Sequence, residues 1–393
     1  MTTPLVVASL ARERGTTGVH THVHQLRRHI ERVARPGGVD VVTPHTWAGA
    51  SLWRRAVLGV LFGARLVLER VSGPAHVAWY RASHAYFLRR ALQRRLRDEG
   101  PCAVYAQCPV AANAALRARR GPHQRVVLAV HFRVSQADEW ANKGSIARDG
   151  LVHRRIRAFE RRVVPQVDGL VFVSQWARSA LLEWMPEAGW VEGTVLHNFV
   201  EGVEVQPVTI RPASLVTTGS LEPVKNHRYL LQVLAAARGL GHDHTLDVLG
   251  EGPERGGLLA LATELGVHDL LRLQGFCTDV QQRLPGHAAY VHASYSESSS
   301  LAIMEAMAAG LPVVSGLAGA LGELFDDPGE GRFWPLDDAE AAARVLIDLT
   351  GSAVELRRAG AAARERFLRD YEAAAVAPRL VGFLEGEPSG LQR

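Results

Sequence analysis

Cysteine is scarce in this chain, which has three in 393 residues, at Cys102, Cys108 and Cys277. An odd number of scattered cysteines indicates neither a disulfide framework nor a thiolate metal site. No signal-peptide pattern precedes the first apolar run, which extends from Pro4 to Leu10. These absences are typical of a protein in a reducing compartment, and we expect a cytoplasmic location.

Long apolar runs and nucleic-acid signatures are also missing. The longest candidate for a membrane span, Ala56 to Leu68, has 13 residues and includes Arg65, whereas a spanning helix needs about 20 apolar residues. No basic run is interleaved with aromatic residues, so we expect no nucleic-acid partner. The stretch Trp53 to Phe62 is compatible with a helix on a membrane surface. Packing against a sheet explains that stretch as well.

Lysine is nearly absent. Of the 45 basic residues only two are lysine, Lys143 and Lys225, and the others are arginine. The basic charge is uneven: residues 1–200 hold 29 Lys+Arg and 14 Asp+Glu, whereas residues 201–393 hold 16 and 26. The basic half is suited to an anionic acceptor or to peripheral contact with the inner face of a membrane. The alternative is solvated arginine favoured by codon bias.

The length and the apolar patterning predict two α/β domains. A strand at Pro4–Leu10, a glycine-bearing loop and a helix at Val19–Val33 open a Rossmann-like half that lacks G-x-G-x-x-G. The segment from Trp47 to Arg97 is predicted to be helical. A second strand and loop, from Ala213 to His227, open the other half. We therefore place domains at 1–205 and 206–370, followed by a C-terminal helix in 371–393 at the end of a helical stretch from Val354 to Phe383.

The stretch Tyr290–Ser315 has the pattern of strand, loop, helix and strand, with Glu297 before the helix and Glu305 inside it. Free amides at a helix start bind phosphate without a cationic side chain. Carboxylates accept hydrogen bonds from sugar hydroxyls. The pattern therefore favours a nucleotide-sugar site, and the alternative is two surface carboxylates on an alanine-rich helix.

This stretch resembles the E-x7-E signature of the retaining nucleotide-sugar glycosyltransferases of family 4, which have the GT-B fold. The chain departs from that pattern at Ser298–Ser300, where the family favours Gly-Phe-Gly. A second family pattern, Gly-Arg-Leu followed three residues later by Lys, is matched in part, with Ser220 in place of the arginine. The matching residues of the two patterns are Glu297, Leu301, Glu305, Ala306–Ala308, Gly310, Pro312–Val314, Gly219, Leu221 and Lys225.

The resemblance implies an α/β GT-B protein whose two Rossmann-like domains have parallel sheets that face a central cleft, with the C-terminal helix packed on the N-terminal domain. It implies a nucleoside-diphosphate sugar, UDP- or GDP-linked, as co-substrate, with no permanently bound cofactor and no metal ion. The acceptor would be a small molecule, a glycan or a lipid-linked compound.

The resemblance also assigns roles to residues of this chain. Lys225 would bind the diphosphate, Glu297 would hold the donor sugar, and His131, at the end of a valine-rich strand, would lie near the reacting sugar. Glu305 would hold the ribose hydroxyls. The remaining donor-binding residues would be Gly219, Ser220, Gly275, Phe276, Cys277, Ser299, Ser300 and Leu301.

Two segments of the N-terminal half are predicted to contact the acceptor. The first loop and helix contribute Thr17, Gly18 and His20, and the polar segment after His131 contributes Arg133, Gln136, Asp138 and Glu139. Helix capping is an equal explanation for the last two carboxylates. A zinc site on His20 and His24, four residues apart, has no evident third ligand, and we assign no metal-binding residue.

Two other classes of protein remain open from the sequence. One is a GT-B enzyme of different chemistry, such as a nucleotide-sugar epimerase or a phosphorylase. The other is a non-catalytic protein that binds a nucleotide-sugar, although Lys225, Glu297 and Glu305 are all retained.

Overall fold

The computed structural model describes residues 3–12, 18–132, 134–204 and 209–387. The chain divides into two compact units. One unit comprises Met1–His197 together with Ala377–Arg393, and the other comprises Asn198–Val376. The boundaries that we placed from the sequence were 205 and 370.

The first unit contains a parallel sheet of six strands in the order β2-β1-β3-β4-β5-β6. Its central strands are almost entirely apolar and buried, as expected when helices cover both faces of a parallel sheet. The strands are β1 Leu5–Ala8, β2 Val39–Val42, β3 Cys102–Ala106, β4 Gln124–Val130, β5 Gly169–Phe172 and β6 Gly193–Val195.

The segment Trp47–Arg97, predicted to be helical, consists mainly of two long helices that meet at Ser72. Ser72 ends one helix and caps the next, because its side chain accepts a hydrogen bond from the Ala75 amide at 3.4 Å and Pro74 follows it. The helices of this unit are α1 Gly18–Arg32, α2 Leu52–Val71, α3 Gly73–Arg95, α4 Pro109–Leu116, α5 Gln136–Asn142, α6 Leu151–Val163 and α7 Gln175–Trp184.

The second unit contains another parallel six-stranded sheet, in the order β12-β11-β10-β7-β8-β9. With β7 counted as the first strand this is the order 3-2-1-4-5-6 of the Rossmann fold. The predicted α/β architecture of two Rossmann-like domains is therefore confirmed. The strands are β7 Arg211–Thr218, β8 Thr245–Leu249, β9 Leu271–Gly275, β10 His287–His292, β11 Val313–Gly316 and β12 Gly331–Trp334.

The C-terminal helical stretch is also interrupted, since Tyr371 and Glu372 separate two helices where the sequence predicted helix from Val354 to Phe383. The Tyr371 hydroxyl donates to the Leu324 carbonyl at 2.9 Å, which fixes the break. The helices that begin in this unit are α8 His227–Gly239, α9 Arg255–Glu264, α10 Val280–Arg283, α11 Leu301–Ala308, α12 Leu321–Leu324, α13 Ala339–Thr350, α14 Ala353–Asp370 and α15 Ala373–Glu385.

Each sheet has one point at which the strand order reverses, between β1 and β3 in the first unit and between β7 and β10 in the second. Open α/β sheets bind ligands in the crevice outside the carboxyl ends of the strands at such a point. The loops that follow these four strands are therefore the first places to look for a site. Within the described residues, no helix combines the length and the apolar character needed to cross a bilayer.

Candidate active site

The loops after β7 and β10 are joined by an ion pair. Lys225 lies in a short 3₁₀ turn at Pro223–Lys225, and its Nζ is 2.6 Å from Oε1 of Glu297. Backbone contacts hold the same two loops together, because the Tyr295 amide and the Ser294 hydroxyl donate to the Val224 carbonyl at 3.0 and 3.1 Å. The reversal point of this sheet thus places the lysine and the first glutamate of the E-x7-E pattern in direct contact.

Glu297 is 9% exposed, and a second group compensates its charge. Nε2 of His292, the last residue of β10, lies 3.2 Å from the same Oε1 atom. Burial opposes ionisation of Glu297, but the hydrogen bond from His292 and the charge of Lys225 outweigh it and lower the pKa to about 2. Glu297 is therefore a carboxylate at neutral pH, able to accept hydrogen bonds but not to act as an acid.

Gly319 supports the loop that carries Glu297. Its φ of +61° is in the left-handed region, and a Cβ at this position would lie 2.2 Å from the Glu297 carbonyl oxygen. The next residue, Ala320, donates its amide to that carbonyl at 2.9 Å. A glycine is therefore required here by both conformation and space.

The helix α11 starts directly after the Glu297 loop. The Ser300 hydroxyl caps it by accepting a hydrogen bond from the Ile303 amide at 3.4 Å. Ser299, one residue earlier, has a buried Oγ with no hydrogen-bond partner in the structure. Burial raises the pKa of Glu305, within α11, to about 7. This carboxyl group therefore titrates near neutral pH, unlike Glu297.

The remaining predicted donor residues lie on loops at the same edge of the sheet. Gly219 follows β7 and lies against Gly250. A Cβ on Gly250 would be only 1.8 Å from the Gly219 carbonyl oxygen. Ser220 is exposed next to it. At the end of β9, Gly275 has a φ of +79°, and its carbonyl oxygen accepts a hydrogen bond from the Cys277 thiol at 3.4 Å. Phe276, between these two residues, is 61% exposed.

In the first unit, His131 follows β4 and faces the end of β3. Its Nε2 lies 3.0 Å from Oε1 of Gln107, and its ring meets the His22 ring edge-on at 5.0 Å. Burial lowers the pKa of His131 to about 4, so the imidazole is neutral at physiological pH. A neutral imidazole can donate or accept one hydrogen bond with a hydroxyl group.

A cavity of about 190 Å³ lies at the reversal point of this sheet, where the loops after β1 and β3 meet α5. It contains two of the predicted acceptor residues, Gln136 and Glu139, beside the Gln107 that contacts His131. The other lining residues are Ser9, Leu10, Ala11, Val19, Tyr80, Arg81, Cys108, Trp140 and Lys143.

Asp138 does not line this cavity. Its carboxylate contacts α6 and the loop before it, with His153 Nε2 at 3.0 Å, Arg148 Nη1 at 3.1 Å and Arg157 Nη2 at 3.3 Å. The structure therefore gives this residue a local structural role, in which it pairs with basic residues instead of lining the cavity.

The predicted acceptor residues of the first loop and helix are only partly described. Gly18 is exposed at the start of α1, and His20 lines a second, larger cavity of about 880 Å³. Thr17 and Arg133 lie outside the described residues. Most of the lining of the larger cavity comes from α2 and α3, which the sequence analysis did not connect with a site.

Two residues near Glu297 were missed by the sequence analysis. His292 ends a predicted buried strand immediately before the signature loop, and that position alone could have marked it. For Gly319, nothing in the sequence indicates its contact with Glu297. Within the described residues, no group of three or more His, Cys, Asp or Glu could hold a metal ion.

Comparison with known families decides the assignment. A family model described as Glycosyltransferase Family 4 matches residues 16–201, and one described as Glycosyl transferases group 1 matches residues 208–366. The two matches adjoin one another and together span most of the chain. The chain belongs to the GT-B glycosyltransferases.

Curated relatives of this GT-B chain are glycosyltransferases with different products. Glycogen synthase of Mycobacterium tuberculosis is 30% identical over 234 residues, covering 57% of this chain and 55% of that enzyme. MMP alpha-(1->4)-mannosyltransferase of Mycolicibacterium hassiacum is 29% identical over 234 residues, covering 58% of this chain and 56% of that enzyme. The chain thus spans about half the length of these relatives.

Solved structures show the same fold over the whole GT-B chain. Sucrose-phosphate synthase of Thermosynechococcus elongatus superposes with a TM-score of 0.71 at 16% identity, covering 98% of both chains. Anabaena HepE in complex with UDP has a TM-score of 0.67 at 14% identity and covers 97% of this chain and 99% of its own. At such identity the likeness concerns the fold alone.

Proposed function

We propose that this GT-B chain is a retaining glycosyltransferase that moves a sugar from a nucleoside-diphosphate sugar to a hydroxyl or other nucleophile of an acceptor. The observation that carries the proposal is the contact of Lys225 and His292 with the ionised Glu297 at the reversal point of the second sheet. A lysine and a helix start suit a diphosphate, and a buried carboxylate beside them suits sugar hydroxyls.

The leaving diphosphate would be stabilised by Lys225 and by the amides at the start of α11, near Ser300 and Leu301. Such prearranged donors act where charge develops in the transition state. The bond from the anomeric carbon to the diphosphate breaks, and the acceptor oxygen bonds to that carbon on the same face. The released diphosphate takes up the proton that the acceptor loses. Glu297 would hold the donor sugar, and Glu305 would hold the ribose.

We propose UDP or GDP as the nucleotide part of the donor. Anabaena HepE and the pneumococcal O-GlcNAc transferase GtfA were both solved in complex with UDP, which supports UDP over GDP as the nucleotide. The loops with Gly219, Gly275 and Phe276 lie at the same edge of the sheet as Lys225. These loops would contact the diphosphate and the base.

The acceptor would bind to the first unit, beside His131, Gln136 and Glu139. The cavity of about 190 Å³, which Gln136 and Glu139 line together with the Gln107 that contacts His131, is suited to a hydroxyl-bearing group. We propose an acceptor that is a small molecule, a glycan or a lipid-linked compound. We also propose a cytoplasmic location with peripheral contact to the inner membrane face, which the excess of arginine in the first half supports.

Calorimetric titration with UDP, GDP, dTDP and ADP, without added metal, tests the donor part of this proposal. We expect one nucleotide to bind and Lys225→Ala to weaken it tenfold or more, which corresponds to about 1.4 kcal/mol. If no nucleotide binds, with or without magnesium, the phosphate site is wrong. Product analysis then separates transfer from related chemistry, because an epimerase needs no acceptor and a phosphorylase needs free phosphate.

A further inference from the structure

We propose that the larger cavity of the first unit binds an amphiphilic anion, a compound with a phosphate group and an apolar body. The cavity has a volume of about 880 Å³ and is lined by the loop after β1, the start of α1, and helices α2 and α3. That this ligand is the acceptor rests on the proposed function. The binding itself does not depend on that function.

The charge of the cavity selects an anion. Arg12, Arg55 and Arg65 line it, and its described lining includes no carboxylate to balance them. Oxygen atoms of a phosphate group are the usual partners of guanidinium groups in this arrangement. The cavity differs in this respect from the smaller one, which contains Glu139.

The arginine side chains are held in place. Nε and Nη2 of Arg55 donate to the Gly49 carbonyl at 3.1 and 2.9 Å, which leaves Nη1 to donate elsewhere. The guanidinium of Arg65 lies 5.7 Å from the centre of the Tyr80 ring. Fixed cations lose less conformational freedom when they bind an anion than freely moving ones.

The histidines of the cavity contribute hydrogen bonds and ring surface more than charge. Burial and the nearby Arg12 lower the pKa of His45, and burial lowers the pKa of His84 to about 4. Both rings are therefore neutral at physiological pH. The cationic part of the cavity is then provided by arginine.

An apolar wall faces the ligand. Phe62 stacks on His84 with 4.1 Å between ring centres. The Trp79 indole donates to the Leu61 carbonyl at 2.8 Å, which fixes α2 against α3. Leu58 and Leu66 of α2 continue the wall. An inorganic ion would use none of this surface, so the wall favours an anion with an apolar body.

The two cavities of the first unit adjoin. Leu10, Ala11 and Tyr80 line both of them. One ligand can therefore place a hydroxyl-bearing group in the smaller cavity and its phosphate and apolar body in the larger one. This arrangement directs the reactive end toward the side on which Gln107 contacts His131.

The outer face of α2 indicates that the ligand resides in a membrane. On this helix the apolar side chains of Trp53, Val60, Val67 and Val71 are 62%, 74%, 65% and 78% exposed. They are spaced seven, seven and four residues apart, which places them on one side of the helix, whereas the opposite side of α2 lines the cavity. A row of exposed apolar side chains on a basic helix is typical of contact with an anionic lipid surface.

Calorimetric titration with dodecyl phosphate, below its critical micelle concentration and without a nucleotide-sugar, tests binding to the cavity. We expect saturable binding that Arg65→Gln and Arg55→Gln each weaken by roughly three- to tenfold. Arg70→Gln, an exposed arginine of the same helix outside the cavity, should change nothing. Thermal unfolding of each variant shows that it is folded. Equal binding of uncharged dodecyl maltoside, or binding that neither substitution affects, would overturn the proposal.

Sedimentation with vesicles shows whether the ligand comes from a membrane or from solution. We expect binding to vesicles with anionic phospholipid and none to phosphatidylcholine alone. The double substitution Val60→Ser and Val67→Ser should abolish this binding and leave dodecyl phosphate binding unchanged. If dodecyl phosphate binds but vesicles do not, the ligand is soluble and the membrane source is wrong. If UDP binds and dodecyl phosphate does not, the cavity proposal fails while the proposed function stands.

Discussion

Nζ of Lys225 lies 2.6 Å from Oε1 of Glu297, a residue 72 positions away in the sequence. Each charge therefore compensates the other. A bound diphosphate would compete with Glu297 for the lysine. Donor binding would then free the carboxylate to accept hydrogen bonds from the donor sugar, which couples the phosphate site to the sugar site.

Replacement of Lys225 by alanine should weaken nucleotide-sugar binding tenfold or more and reduce turnover by orders of magnitude. A charge-assisted hydrogen bond contributes ~1.5–3 kcal/mol, and here it acts on the leaving group as well. Calorimetry and single-turnover assays measure the two effects. Arg344→Ala, which removes an exposed arginine paired with Glu340 on α13, is the matched control. Near-normal turnover in Lys225→Ala would remove this residue from the mechanism.

Replacement of His292 by alanine should lower stability at neutral pH and make stability depend less on pH in acid. His292 helps to hold the pKa of Glu297 at about 2, well below its ordinary value. A depressed pKa gives stability above the unfolded pKa of about 4.3, which is lost as the pH falls through the folded value. In His292→Ala the pKa of Glu297 rises toward its unfolded value, so Glu297 contributes less stability at neutral pH and less stability is lost as the pH falls.

Urea unfolding at several pH values between 3 and 7 checks this expectation. The exposed His242 provides a control, and His242→Ala should follow the wild type. We also expect His292→Ala to reduce turnover about 10- to 100-fold, because Glu297 loses one of the two groups that orient it. Identical acid profiles for His292→Ala and wild type would contradict the assigned hydrogen bond.

The second unit could be predicted in detail because its site lies at the carboxyl ends of parallel strands. The short apolar runs that became β7 and β10 indicate where Lys225 and Glu297 emerge, and the sheet then brings the two loops together. The three serines at 298–300 indicate a helix start, although capping chemistry does not distinguish Ser300 from the other two. Local patterns and one rule of sheet topology were sufficient for these loops, but they did not reveal His292 or Gly319.

The first unit could be predicted only in outline. Arg55, Arg65 and His84 line one cavity although they extend over thirty positions, and the rotation of each helix against its neighbours decides which side chains meet. The helix α2 is apolar on several sides, so its pattern does not indicate a buried face. Asp138 shows the same limit, because its contacts come from α6 and the loop before that helix and not from its own segment.

Replacement of Gly319 by alanine should destabilise the protein and disturb the Glu297 loop. The left-handed conformation costs a non-glycine residue about 1–2 kcal/mol, and the new Cβ would displace the Glu297 carbonyl. We expect a fall of several degrees in the unfolding temperature and a larger loss of turnover than stability alone explains. Gly256→Ala, at a helical position with no atom within 4 Å, is the control and should be neutral or slightly stabilising, because alanine favours a helix more than glycine does. Equal effects of both substitutions would argue against this role of Gly319.

Replacement of Glu160 by glutamine should flatten the pH dependence of stability. This buried carboxyl accepts hydrogen bonds from the Ser135 hydroxyl and, at 3.1 Å, from the Gln136 amide. Burial nevertheless raises its pKa to about 7. Between about pH 4.3 and 7 the folded state then binds the extra proton, and stability falls as the pH rises, by up to about 1.4 kcal/mol per pH unit.

In Glu160→Gln this contribution is absent, whereas the contacts with Ser135 and Gln136 can be retained by the amide. Chemical unfolding at pH 5, 6, 7 and 8 measures the slope for both proteins. Glu99→Gln, a carboxyl paired with Arg95 in the same unit, controls for the loss of one negative charge. A slope unchanged by Glu160→Gln would show that this carboxyl is ionised in the folded protein throughout the range.

Binding of the donor should release a proton from Glu305. Its pKa of about 7 leaves the carboxyl close to half protonated at neutral pH. Ribose hydroxyls donate hydrogen bonds and therefore favour the ionised form, so binding lowers this pKa and expels the proton. We expect affinity to increase between pH 6 and pH 8.

UDP-glucose and GDP-mannose are suitable probes, because their diphosphate groups do not titrate in this range. Calorimetry in two buffers with different ionisation enthalpies counts the protons, and Glu305→Gln should bind more weakly without releasing any. Proton release that persists in Glu305→Gln would assign it to another group and separate Glu305 from the ribose.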